Sequence, residues 1–161
     1  MTDQQALSVY LNNHLTGATG GLDLFRRTAS NHERTPHGKE LGLLADEVEA
    51  DREALRDLMR RLGVGENKPM AALGWLGEKA GRLKPNGYVV RRSPLADVIE
   101  LEGLRIGVHG KLAGWQVLRE VAAADSRIST EEIDVLVARA EDQSGRLERL
   151  HLEMARERLA G

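Results

Sequence analysis

Ionisable and amide side chains recur in this chain at positions whose neighbours, read at helical spacing, are apolar. His14 falls among Leu7, Leu11, Ala18 and Phe25. Asp51 lies between Leu44, Leu55 and Leu58, with Glu47 one turn away on the same face. Glu102 and His109 sit near the centre of an apolar arc that runs from the glycines Gly103 and Gly107 round to Leu101, Leu112 and Val108, with Arg105 and Gln116 close by. Gln143 and His151 join the inner face of the last segment. Groups of this kind must satisfy one another once buried, because an unpaired charge in an apolar interior is strongly unfavourable. A single histidine on an apolar face is usually a hydrogen-bonded core residue, so several meeting at one level carry more weight than any one. There is no cysteine, which excludes thiol catalysis, disulfides and thiolate metal sites, and no serine, histidine and acid arrangement stands out for nucleophilic catalysis.

The elements that position these residues follow from the apolar period. Leu7, Leu11, Leu15, Ala18, Leu22, Phe25 and Ala29 step by three or four and predict a first helix over about residues 3 to 30. Thr35 followed by Pro36 predicts the cap and first position of a second helix, with Leu41, Leu44, Val48, Leu55, Leu58 and Leu62 inward and Gly63 as its stop. Ser93 and Pro94 repeat that start for a third helix reaching about Ala123. Ser129 with Glu132 forms a capping box for a fourth, which runs to the C-terminus through Ile133, Leu136, Ala140, Leu147, Leu150 and Met154. Short links make each successive pair an antiparallel hairpin. The longer connection, about residues 64 to 93, can hold a short helix over about Pro69 to Leu83 and travels back along the bundle, which makes the second and third helices parallel.

Counting from the two tight links brings His14 level with Asp51, Asp51 with His109, His109 with Ser144, Glu47 with Arg105, and Glu102 with His151. The polar residues therefore gather at mid-bundle. With two hairpins, one long crossover and inward carboxylates and histidines at that level, the chain resembles the ferritin-like superfamily. The resemblance implies an all-α, ferritin-like four-helix bundle, a single domain over residues 1–161. Its metal-bearing members hold iron or manganese with a glutamate from each of two helices and a Glu-x-x-His pair from each of the other two. Here only Glu148 with His151 has that spacing; the second helix carries alanine where the histidine would stand, and the first offers His14 in place of a carboxylate. Two readings follow. One is a non-catalytic binding or interaction protein with no cofactor, whose central polar network is structural and whose Arg105 supplies positive charge. The other is a di-iron or di-manganese oxidoreductase or iron-handling protein with His14, Glu47, Asp51, Glu102 and His109 as metal ligands.

Four glycines, Gly103, Gly107, Gly110 and Gly114, form a narrow strip on the third helix with Ile99, Ile106, Val117 and Val121, and Gly74, Gly77 and Gly81 step similarly in the connection. Each costs about 1 kcal/mol relative to alanine inside a helix, so the strip predicts close contact, and a leucine at Gly107 is expected to destabilise the fold or a dimer. The contact is with the crossover helix, with the first helix near Gly17 and Gly21, with a second copy in a homodimer, or with an apolar ligand.

Charge and length limit the remaining classes. From Val64 to Pro94 six cations stand against two anions, while the chain as a whole carries −2, so there is a local basic patch but no general nucleic-acid footprint. The basic amphipathic stretch around Trp75 suits a cover for the bundle, with peripheral membrane contact as the lesser reading. "GENKPMAALG" lacks the ending of a phosphate loop, and no run is long enough for a membrane span or shaped as a signal peptide. A cytoplasmic protein is the expectation.

Overall fold

The computed structural model of the chain describes residues 2–67 and 93–160. Among these are four helices and no strand: α1 Gln4–Asn31, α2 Gly38–Arg61, α3 Pro94–Ala122 and α4 Thr130–Leu159. The short crossover helix, its glycines and most of the basic patch fall on residues 68–92, outside the described residues. None of the described helices is long and apolar enough to cross a membrane.

Caps explain most of the helix ends. Asp3 accepts from the amides of Gln5 and Ala6, Ser93 from Leu95 with Pro94 at the first helical position, and Ser129 from Glu132. Gly63, with φ of +67°, ends α2 in the left-handed conformation that lacks a Cβ penalty. Two caps differ from expectation. Thr35 does not open α2; its hydroxyl donates back to the His32 carbonyl at 2.9 Å, as does its amide at 2.8 Å, so α2 starts at Gly38 behind His37, which caps nothing with its side chain. Only half of the capping box forms, because the Glu132 carboxylate takes Arg61 of α2 at 2.6 Å instead of returning to Ser129.

Contacts fix the directions. His14 lies against Gly114, Leu24 against Gly103, and Thr28 donates to Glu100 at 3.3 Å, so α1 and α3 are antiparallel. α2 is likewise antiparallel to α4, with His37 beside Glu157 at one end and Arg61 beside Glu132 at the other. With α1 and α2 joined by a tight turn, α2 and α3 run parallel.

The apolar core comes in two parts. One gathers Leu11, Leu55, Met59, Trp115, Ile133 and Ala140; the other gathers Leu22, Leu44, Val48, Val108, Leu147 and Met154. Each fully buried leucine contributes about 1.5–3 kcal/mol. The break between the parts falls between Val48 and Leu55 on α2, Val108 and Trp115 on α3, and Ala140 and Leu147 on α4.

Arg127 in the turn between α3 and α4 ties the Asp125 carboxylate at 2.6 Å to the Leu62 carbonyl and to Gln4. Its hydrogen bonds hold Asp125 down to about 2, below the ordinary 3.8. The unfolded chain binds a proton there first, so the stability that the clip supplies is complete above about pH 4 and lost as pH falls towards 2. Asp125→Asn is therefore expected to flatten the acid limb of a melting-temperature profile in that window while lowering the neutral plateau slightly.

Candidate functional site

The gap between the two core parts is filled by charge. Asp51, 1% exposed, receives the Lys111 ammonium at 2.6 Å and the Gln143 amide at 3.2 Å on Oδ2. Arg139 Nε stands 3.0 Å from its Oδ1, an ionic contact without hydrogen-bond alignment. Gln143, fully buried, accepts from Lys111 and donates to Glu47 at 3.2 Å. Arg146 then grips both oxygens of Glu47 at 2.7 and 2.9 Å and reaches Glu40 and Asp142. Burial pulls Lys111 below the ordinary lysine range while Asp51 pulls it up; desolvation opposes the Arg146 charge, but its three carboxylate partners together raise it. The result is a layer across α2, α3 and α4 in which each carboxylate has a cation.

The helix period explains which residues enter this layer. On α2 the acids Glu40, Glu47 and Asp51 are spaced by seven and four; on α4 Arg139, Gln143 and Arg146 are spaced by four and three, so each set shares one face and the two faces meet. Lys111 lies on the inner stripe of α3, three residues after Val108 and four before Trp115.

Of the five residues singled out as metal ligands, Asp51 and Glu47 belong to this layer. His14 is half-buried where α1 meets α3 at Gly114 and bonds to none of the layer's residues, its ring 4.6 Å from that of Tyr10 and its pKa lowered by burial. Glu102 and His109 are exposed, as is Gln116, which corrects their placement in the core. The axial levels agree: Ser144 lies 3.5 Å from His109 Nε2, and Arg105 donates to His151 Nδ1 at 3.0 Å. The faces differ. The buried stripe of α3 runs through Leu101, Leu104, Val108, Trp115 and Leu118, so the arc closes past Lys111 and not past Ile99, Ile106 and Val117, which stay 40%, 64% and 44% exposed. Glu102 and His109 each follow a buried residue by one position, about 100° round the helix. No group of three or more metal-ligating side chains comes together among the described residues.

The glycine strip lies about 120° from the centre of that stripe, and it meets its surroundings unevenly. A Cβ on Gly114 would stand 2.7 Å from Cε1 of His14, and one on Gly103 would stand 3.5 Å from Leu24. At Gly107, Gly110, Gly17 and Gly21 a Cβ would meet nothing within 4 Å among the described residues, and Gly107 and Gly110 are exposed. Among the described residues the strip is thus packed closely at one point, Gly114, while the expected contact with the crossover helix falls outside them.

Beyond that point α1 and α3 leave a cavity of about 350 Å³. Its apolar wall includes Leu24, Phe25, Val48, Leu104, Val108 and Trp115, and six glycines from α1 and α3 widen it. Asp51 and Lys111 reach it from the charged layer, with Arg52, His14 and Asn13 as the other polar residues on the wall. Absent side chains let two helices in contact at Gly114 enclose a space further along.

Lys111, Arg139 and Arg146 were not among the residues expected inside, since long cations ordinarily lie on the solvated face; the matched seven-residue spacing of acids on α2 and bases on α4 is the signal that marks Arg139 and Arg146, and Lys111 on α3 has no such signal. No protein-family model, curated protein or solved structure matches the chain.

Proposed function

We propose that the chain is a non-catalytic binding protein of ferritin-like architecture, in which side-chain cations hold the mid-bundle carboxylates and the cavity between α1 and α3 takes a small apolar molecule. The cavity carries this reading. Its volume is at the lower end of ligand pockets, its wall is largely apolar, and of its few polar groups Asp51, Arg52 and Lys111 converge on one part of α2 and α3. The charged layer supports the non-catalytic part. Lys111, Arg139 and Arg146 already neutralise Asp51 and Glu47, and a divalent ion there would have to displace them.

The reading is tested with a neutral fluorescent apolar probe, N-phenyl-1-naphthylamine. Saturable enhancement and a rise in melting temperature that grows with probe concentration are expected, as for any ligand of the folded state alone. Fe(II) or Mn(II) added anaerobically is expected to leave the melting temperature unchanged. Metal-dependent stabilisation with no probe binding would overturn the reading.

Gly107→Leu is a specific check. An added Cβ there meets nothing within 4 Å among the described residues, Gly107 lines the cavity, and removing a helical glycine favours the fold by up to about 1 kcal/mol. The variant should melt no lower than the parent and lose probe fluorescence at least tenfold. A drop of several degrees would mean that the strip is tightly packed after all.

A further inference from the structure

The cavity wall carries buried hydrogen-bond donors without acceptors. Trp115, 3% exposed, lines the cavity, and its indole N–H donates to no group among the described residues. Arg52, on α2, spends Nη2 on Glu53 at 3.3 Å, but its Nε is buried and bonds to nothing among the described residues. Lys111 directs an ammonium with three protons at two acceptors, Asp51 and Gln143. These three side chains come from adjacent turns of α2 and α3 and line the same space.

Orphan donors at one place on an apolar wall are a cost unless an acceptor completes them. The charge balance says which kind. Among the described residues that line the wall Asp51 is the sole carboxylate against Lys111 and Arg52, so the wall itself carries one positive charge in excess, with Glu53 pairing Arg52 from outside it. An acceptor that is also an anion satisfies both needs; a cation would face Arg52 and Lys111 at close range.

We infer that the ligand is a single-chain carboxylate, its head among Arg52, Lys111 and Trp115 and its aliphatic tail along the glycine-widened wall towards Gly107 and Gly110. This rests on the reading of the cavity as a binding site. A volume of about 350 Å³ suits a chain of about ten carbons. The tail needs the open wall that side chains at Gly17, Gly21, Gly107 and Gly110 would fill.

Calorimetric titration of the full chain with decanoate, decanol and decylammonium, each below its aggregation concentration, separates head from tail. Decanoate is expected to bind at least tenfold more tightly than decanol, and decylammonium most weakly. Arg52→Gln should bring the decanoate-to-decanol ratio towards one, and Trp115→Phe should reduce it. Arg52 is only partly buried, so its variant keeps the test available if the tryptophan variant fails to fold. Equal binding of decanoate and decanol would overturn the head-group assignment while leaving the apolar site standing, since a hydroxyl or an ordered water would then suffice. Binding of none of the three would remove the site itself.

Discussion

Asp51→Leu is expected to cost about 3–5 kcal/mol, a fall in melting temperature of about 6–20 °C for a chain of this length. Asp51 is 1% exposed and joins Lys111, Arg139 and Gln143. Its removal strands the Lys111 ammonium in a layer closed above and below by leucines. Adding Lys111→Met should restore part of the loss, because replacing a buried ion pair by apolar residues is close to neutral whereas half a pair is not, and Arg139 alone then remains without its carboxylate. Urea or thermal melts of both single variants and the double read the coupling directly; additive losses would mean that the two side chains act independently. The pH dependence has a definite sign. Burial already holds Lys111 below its ordinary 10.5, and without Asp51 it falls further. Folding then releases a proton, so the unfolded chain binds more protons and the Asp51→Leu variant regains stability as pH rises through the window below 10.5.

Gly38→Ala is expected to be nearly as damaging, by about 3 kcal/mol or more, for a reason of pure geometry. The added Cβ would lie 2.2 Å from the His32 carbonyl oxygen, 2.8 Å from its carbon and 2.9 Å from the Cα of Glu33. All three are backbone atoms, so relief requires opening the turn in which His32 accepts from Thr35 and Gly38 donates to Thr35 at 3.2 Å. A melting curve checks it, and a loss under 1 kcal/mol would show that this turn yields easily. Gly114→Ala makes the contrast. Its clash at 2.7 Å is with the end of the His14 ring, which can rotate, so the helix-propensity gain of about 1 kcal/mol offsets most of the cost. That variant should report mainly through a changed environment at His14 in a proton NMR titration.

The levels of the fold were legible in the chain because helix rise is fixed and the links are short. Counting from them placed His109 against Ser144 and set Asp51 and Gln143 in the middle. The faces were harder. On α3 both sides of the glycine strip are aliphatic, Ile99, Ile106 and Val117 on one and Leu104 and Leu118 on the other, and periodicity alone does not say which is inward. Choosing the wrong side brought Glu102 and His109 into the core and left Lys111 outside. The cavity was legible only as four glycines in search of a neighbour, since a space between helices depends on where the backbones touch. Thr35 was misread because a hydroxyl can serve the helix behind it as well as the one ahead, and the turn at His32 decides.

The two leucine-rich parts of the core would tolerate α4 sliding along α2, since one aliphatic contact exchanges readily for another. The charged layer does not. A slip of one turn, about 5.4 Å, would bring Leu147 in one direction or Arg139 in the other opposite Asp51, and either draws Gln143 away from Glu47 and Asp51 together. Ions buried in oil admit few alignments, so Asp51 and its cations act as a latch on the register of α4 against α2.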